Sequence, residues 1–231
     1  MQLKILVAAA ALFAATVPAV AKDKLPQTWD GLVEVDSKRL GAVYLAPGAD
    51  FRVYQRVMVD PTQVAMKKNW ARDQNDSRMG VNRVTDKDVQ RILQAARENY
   101  ADVFQNALTK AGYQLATEPS PDVLRVAAAI INIDVTAPDV MSAGRSVSFA
   151  ADAGEATLVM EFRDSVTNAL LARVLDRRET DGMPQRMNSV TNVAEFRQLF
   201  GEWSSAVVKG LEALKAHSPL PDPLTPGQKL Q

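Results

Sequence analysis

The longest regular pattern in the chain is a series of apolar residues three and four positions apart, the spacing of an amphipathic helix. It runs over residues 89–111. Thr85 is suited to cap the first turn, and Gly112 can adopt the left-handed conformation in which helices often end. The pattern therefore predicts a helix of about seven turns, about 39 Å long, with one apolar face.

A second long helix is predicted near the end of the chain. Asn192 and Glu195 have the spacing of a capping box, and an apolar stripe continues from there to the neighbourhood of His217. Four prolines follow within residues 219–226. Proline neither continues a helix nor donates a backbone hydrogen bond to a sheet. We therefore interpret residues 219–231 as a Pro-rich disordered tail.

Runs of alternating apolar and polar residues and of β-branched residues predict three strands in the second half of the chain. Residues 123–135 form the longest run, and its apolar phase shifts by one residue at Ile131. The shift indicates either a bulge or a strand that is buried on both faces. Residues 156–163 and 169–177 flank a stretch with turn chemistry, which predicts a β-hairpin.

The first part of the chain is less regular. Residues 22–50 keep no period, so we interpret them as an extended N-terminal arm with at most one short strand. Residues 52–59 alternate and predict a strand that ends before Pro61. Residues 67–84 are polar and rich in charge, which is typical of a surface loop.

The order of these elements is strand, helix, strand, hairpin, helix. A strand–helix–strand unit joins parallel strands, whereas a hairpin adds antiparallel neighbours. We therefore predict a single α+β domain over residues 22–218. Its expected architecture is a two-layer sandwich, a mixed sheet of four or more strands with two long helices on one face.

Residues 1–21 have the pattern of a cleavable signal peptide. A lysine near the start is followed by an uncharged run over residues 5–17, and Ala19 and Ala21 are small residues at the positions that a signal peptidase reads. Thirteen uncharged residues span about 20 Å as a helix, against roughly 30 Å of hydrocarbon. An uncleaved anchor is therefore the less favoured reading, and we predict a periplasmic protein without a transmembrane span in its mature chain.

Composition excludes several kinds of chemistry. The 231 residues contain no cysteine and one histidine, His217, so disulfides, thiolate nucleophiles and sites with two imidazoles are impossible within the chain. The 27 basic and 27 acidic residues balance, so there is no broad basic field for nucleic acid. No nucleophile motif or phosphate-binding glycine loop is found. We therefore predict a protein that is not an enzyme and carries no cofactor or metal.

One candidate motif comprises residues of the strand predicted over 52–59 and of its exit: Tyr54, Val57, Asp60 and Pro61. We interpret it as structural: a buried strand whose exit is fixed by the proline, with the aspartate bonding backbone groups in the turn.

The second candidate is the segment of residues 136–154, which is rich in small and apolar residues and poor in charge. A loop of this composition either packs inside the protein, contacts a lipid surface or docks a partner. We take Val140, Met141 and Phe149 as its candidate interaction residues. The expected partner is an envelope protein or a membrane surface.

The segments 44–50 and 54–61, with Gly31 and Leu32 before them, resemble the bacterial envelope family known as domain of unknown function 3313. The likeness continues through the long helix, the long strand and the hairpin with its Asp176-Arg177-Arg178 sequence. Members of that family are commonly lipoproteins with a cysteine after the signal, and this chain has none. The resemblance implies export to the envelope, and the family supplies no established catalytic residues.

Three functional hypotheses follow from these observations. The first is a non-enzymatic periplasmic protein that acts by surface contact in cell-envelope assembly, maintenance or transport. The second is a carrier of a small apolar ligand or lipid in a cleft between the sheet and its helices. The third is an enzyme that uses carboxylates alone, which requires two acidic side chains close together in a cleft.

Overall fold

The computed structural model describes residues 25–76, 83–135, 148–150, 154–179, 185–187 and 189–229. Within these residues the chain forms a ten-stranded mixed sheet, a separate two-stranded sheet and three helices. The α+β class, the mixed sheet and the two long helices are therefore confirmed.

The helices are α1 (Trp70–Asn75), α2 (Asp86–Lys110) and α3 (Ser189–His217). The strands of the first half are β1 (Thr28–Trp29), β2 (Leu32–Asp36), β3 (Ala42–Leu45), β4 (Arg56–Val59), β5 (Gln63–Met66) and β6 (Gln114–Leu115). The strands of the second half are β7 (Val123–Val135), β8 (Ser148–Ala150), β9 (Gly154–Asp164), β10 (Leu170–Glu179), β11 (Gln185–Met187) and β12 (Gln228–Lys229).

The large sheet has the order β1-β2-β3-β10-β9-β7-β4-β6. Its centre is antiparallel, with β9 paired to both β7 and β10. Strands β4 and β5 both run parallel to β7 and follow one another along the same edge of it. The connection from β5 to β7 contains α2, as expected for a parallel pair.

The main core lies between the two long helices and the sheet. Tyr100 of α2 stacks on Phe104 at 5.7 Å between ring centroids and meets Phe200 of α3 edge-on at 5.5 Å. These rings belong to one cluster with alternate residues of the central strands, such as Ile130 and Leu158. The residues between them along each strand belong to a second, smaller cluster, which has its own members: Leu32, Ala42, Tyr44, Ala129, Val159 and Leu175.

The start of α2 forms as the sequence predicts. The Thr85 hydroxyl accepts a hydrogen bond from the Asp88 backbone N–H at 3.3 Å, and the Asp88 carboxylate accepts one from the Thr85 N–H at 3.0 Å. Gly112 follows the helix with a φ of +87°. The predicted N-terminal cap and the predicted end of α2 are therefore confirmed.

The phase shift of the long strand corresponds to a bulge, one of the two alternatives that the sequence leaves open. Strand β7 has the predicted bounds, and its register against β9 shifts between Ile131 and Asp134. Asn132 takes a φ of +53° there, which asparagine tolerates better than most residues. The predicted hairpin is present as β9 and β10; β9 extends beyond both predicted ends, and β10 begins one residue later and ends two residues later than predicted.

The prediction of an extended arm with at most one strand is wrong for the described part of residues 22–50. Three strands form there, and β3 pairs with β10 in the body of the sheet. Tyr44 and Leu45 are fully buried. Strands of two to five residues are too short to show a period, and their stability comes from the strands beside them.

Two further expectations in the first half are partly wrong. The strand expected over residues 52–59 begins only at Arg56, after a turn at residues 52 and 53. The segment 67–84 contains α1, whose Trp70 is buried and donates its indole N–H to the carbonyl of Val135 at 3.2 Å. The buried Trp70 and its hydrogen bond therefore hold α1 against the sheet, although the charged residues of the segment predict a surface loop.

The end of the chain differs from the sequence prediction. Helix α3 begins at Ser189, so Asn192 lies inside it and the expected capping box is wrong. The expected disordered tail is also wrong over residues 219–229, because Leu220 and Leu224 are buried and β12 pairs with β2. Proline carbonyls still accept hydrogen bonds, as Pro221 does from the Gly48 N–H, and the leucines between the prolines pack on the core.

The predicted signal peptide with Ala19 and Ala21 lies outside the described residues, and so does most of the segment 136–154. Across the helices of the described ranges, none combines the length and the hydropathy that a membrane span needs.

Candidate functional site

An open cleft of about 550 Å³ lies between the second half of α3 and the sheet. The sheet side consists of apolar residues from β2, β3, β9 and β10: Val35, Val43, Leu45, Phe162, Ala172 and Val174. The helix side is also apolar: Ala206, Val207, Gly210, Leu211, Ala213 and Leu214. The lip of the cleft is polar and consists of residues 36–39 with Lys229. Leu40, the residue after Arg39, also lines the cleft.

The alternation of the strands builds the apolar floor. Successive side chains of a strand point to opposite faces, so Val43 and Leu45 face α3 while Tyr44 faces the other side. The same rule places Val174 of β10 next to them. The floor of the cleft is therefore part of the main core and is rigid.

Small residues on α3 leave the space open. Ala206, Gly210 and Ala213 recur at helical spacing and form one stripe along the cleft. A Cβ placed on Gly210 would meet no atom of the surrounding residues within 4 Å. A large apolar residue at these positions would fill the cleft, so its volume depends on their small size.

Asp176 and Arg178 of β10 fix the lip. The Asp176 carboxylate accepts hydrogen bonds from the Gly41 N–H at 2.8 Å and from the indole N–H of Trp203 at 2.9 Å. Arg178 donates to Asp176 at 2.7 Å and to the carbonyl of Arg39 at 2.9 Å. The lip backbone is therefore bonded to β10 at Arg39, and Asp176 of β10 is in turn bonded to Trp203 of α3.

A shallow groove of about 490 Å³ adjoins the cleft on the outer side of α3 and shares Arg39 and Ala206 with it. Its other lining residues are mostly polar: Arg178, Gln198, Gly201, Glu202, Ser205 and Lys209. Arg178 pairs with Glu202 at 3.0 Å, which neutralises the carboxylate of the groove. The apolar cleft thus opens directly onto a polar surface.

A buried ion cluster lies on the face of the sheet that carries the smaller hydrophobic cluster. Arg173 is 2% exposed and donates to Glu161 at 2.6 Å and to Asp30 at 2.8 Å. Its guanidinium lies 4.1 Å from the ring centroid of Trp29. The cluster joins β9, β10 and the β1–β2 turn, and its burial indicates a structural role.

The four motif residues lie at the opposite edge of the sheet, and none of them lines the cleft. Val57 is buried in β4, and Pro61 lies between β4 and β5. Asp60 pairs with the side chain of Arg125 at 2.9 Å instead of the backbone groups that the sequence suggests. The Tyr54 hydroxyl donates to Asp164 at 2.9 Å.

Asp164 joins the motif to the β9–β10 hairpin. Its carboxylate also accepts hydrogen bonds from the backbone N–H groups of Val166 and Thr167. Burial raises the pKa of Asp164, but these hydrogen bonds outweigh it and hold the net pKa below the ordinary value. Burial, together with the bond to Asp164, raises the pKa of Tyr54. The tyrosine is therefore a neutral donor and a structural anchor.

The predicted interaction residues are not part of the described geometry. Val140 and Met141 lie outside the described residues. Phe149 lies in β8, whose backbone pairs with β11 opposite Arg186, and its side chain is not among those described. The interaction role of all three stays a prediction.

Sequence reasoning missed the residues of the cleft. Ala206, Gly210 and Ala213 lie beside the large residues of the α3 stripe, and this change in side-chain size was the available signal. The lip residues carry no signal, because their position depends on contacts with Asp176 and Arg178. Over the ranges that the structure describes, no three histidine or acidic side chains converge as a metal ion would need.

Several solved structures are similar to the chain at low identity. The PelC dodecamer from Paraburkholderia phytofirmans is 10% identical over 72% of this chain and 98% of its own, with a TM-score of 0.36. A minor lipoprotein from Acinetobacter baumannii is 9% identical over 70% of this chain and 94% of its own, with a TM-score of 0.32. A putative neuraminyllactose-binding hemagglutinin homolog from Helicobacter pylori is 10% identical over 75% of this chain and 91% of its own, with a TM-score of 0.36. Likenesses at these TM-scores carry no argument about function.

No protein with curated annotation matches the sequence. A family profile, in contrast, matches residues 21–207, which is most of the chain and includes the motif, α2, the hairpin and the first part of α3. This match confirms the resemblance that the segments around Tyr44 and Tyr54 suggest. The chain therefore belongs to the family described as protein of unknown function DUF3313.

Proposed function

We propose that this protein is a non-enzymatic binding protein that holds a small apolar ligand in the cleft between α3 and the sheet. The observation that carries the proposal is the open apolar cleft, whose floor is rigid core and whose lip is fixed by Asp176 and Arg178. The volume of about 550 Å³ lies within the range of small-molecule sites, roughly 300–1,000 Å³.

The lining of the cleft favours binding over catalysis. Its charged side chains are confined to the lip, and the carboxylate among them, Asp36, pairs with Lys229 at 3.8 Å. No second carboxylate lines the cleft within the described residues, so acid–base chemistry with two acidic groups lacks a partner there. The family description names no reaction.

The compartment is part of the same proposal. The signal-like pattern of residues 1–21 supports export to the periplasm. A protein that carries apolar molecules through an aqueous compartment needs a site that shields them from water. Of the two non-enzymatic hypotheses, the carrier therefore has described geometry, whereas surface contact through residues 136–154 stays a hypothesis without it.

Filling the cleft tests the proposal. We expect Gly210→Phe to weaken binding of the neutral fluorescent probe N-phenyl-1-naphthylamine at least tenfold, because the phenyl ring takes up space that the probe needs. The helix itself should not weaken, because glycine is a poorer helix former than phenylalanine. Titration by fluorescence measures the affinity, and thermal unfolding checks the fold.

Ala216→Phe is the matched control. Ala216 is exposed on the same helix and does not line the cleft. We expect this variant to bind the probe as the wild type does. Equal affinity of Gly210→Phe and the wild type, or no binding to the wild type, would contradict the proposal.

A further inference from the structure

The charges around the cleft are unbalanced. The carboxylate of its lip, Asp36, pairs with Lys229, and that of the neighbouring groove, Glu202, pairs with Arg178. Three cations remain: Lys38 and Arg39 at the lip and Lys209 in the groove. None of the three forms an ion pair with any residue in the described part of the chain.

Arg39 lies where the two surfaces meet, since it lines both the cleft and the groove. Its backbone is held in place by the hydrogen bond from Arg178 to its carbonyl at 2.9 Å. The side chain is exposed and is free to close on a ligand group at the mouth. Guanidinium groups bind carboxylates and phosphates through two parallel hydrogen bonds.

From this arrangement we propose that the ligand is a single-chain amphiphile with an anionic head. Its alkyl chain lies in the apolar cleft, and its carboxylate or phosphate lies over Arg39, with Lys38 and Lys209 on either side. This proposal rests on the carrier function above and specifies its ligand class.

The volume of the cleft fits one alkyl chain. If a methylene group occupies ~30 Å³, the share of one water molecule in the liquid, a cleft of about 550 Å³ accommodates about 18 methylenes. The two acyl chains of a membrane phospholipid exceed this number. A fatty acid and a lysophospholipid both satisfy the requirement, and they differ in the head.

Isothermal titration of the purified protein with four compounds, each with a ten-carbon chain, tests the proposal. Decanoate and decyl phosphate carry anionic heads, decanol is neutral and decyltrimethylammonium is cationic. We expect at least one anion to bind tenfold or more tightly than decanol and the cation to bind most weakly. The better anion then identifies a carboxylate or a phosphate as the head.

Charge reversal at the mouth provides the second arm. We expect the double variant Arg39→Glu, Lys209→Glu to lose the tenfold preference for the anion while its affinity for decanol stays within about twofold. Lys87→Glu is the matched control. Lys87 is exposed in the first turn of α2 and does not line the cleft. This control variant should keep the preference.

The outcomes separate this proposal from the function on which it rests. If decanol binds as tightly as both anions, or if the double variant keeps the preference, the anionic head is wrong and the apolar carrier stands. If none of the four compounds binds, the carrier function itself is wrong.

Discussion

Replacing Glu161 by leucine is expected to lower the free energy of unfolding by about 3–5 kcal/mol, the usual cost of removing one partner from a buried ion pair. Glu161 and Arg173 are 3% and 2% exposed, and their charged atoms lie 2.6 Å apart. Without the glutamate, the Arg173 guanidinium keeps Asp30 as its partner, but that carboxylate is 59% exposed in its side chain and is screened by water. The positive charge of the buried Arg173 guanidinium is then only partly balanced by a carboxylate.

A double substitution distinguishes this cause from a loss of packing. Glu161→Leu combined with Arg173→Met removes both charges and leaves two apolar side chains of similar size. We expect the double variant to recover part of the lost stability, because it removes the buried Arg173 charge, whereas Arg163, which pairs with Glu161 at 2.7 Å, loses that carboxylate in both variants. Urea denaturation measures both values. If the double variant is less stable than the single one, the uncompensated charge is not the cause.

Replacing Asp176 by alanine is the change with the second largest expected effect, about 3 kcal/mol. The carboxylate accepts hydrogen bonds from the Gly41 N–H, the Trp203 indole and Arg178. Without it, three donors lose this acceptor. The indole of Trp203 is fully buried, and a buried unsatisfied group costs about 1–3 kcal/mol. Gly41, two residues beyond Arg39 of the lip, then has no bond to Asp176, so we also expect weaker binding of the apolar probe.

Asp102→Ala is the control for this substitution. Asp102 pairs with Arg197 at 2.9 Å, but both side chains are about half exposed, and such a pair contributes about 1 kcal/mol or less. We expect this variant to change stability little and probe affinity not at all. If Asp176→Ala binds the probe as tightly as the wild type does, the lip is not held by the carboxylate.

Elements with their own local signals could be predicted from the sequence. The capping residues Thr85 and Asp88 lie beside a long apolar period, and strand β7 is long enough to show its phase shift at Ile131. The hairpin β9–β10 combines alternation with turn chemistry. In each case, residues that are close together in the sequence determine the structure, so a local sequence pattern predicts the element.

Elements that depend on distant partners could not be predicted. Strands β1 and β12 contain two residues each and exist because β2 lies beside them. The helix α1 is held by one tryptophan against Val135, and the tail by the burial of Leu224. The cleft belongs to this group, because its floor, wall and lip come from segments that are up to about 190 positions apart, from Val35 to Lys229.

The most direct measurement of the carrier function is native mass spectrometry of the protein released gently from the bacterial envelope. We expect the wild type and Ala216→Phe to carry an additional mass that organic extraction identifies as one single-chain amphiphile per protein. Gly210→Phe should carry none. A wild-type mass equal to that of the bare processed chain, under conditions that preserve other protein–lipid complexes, would contradict the cleft as a ligand site.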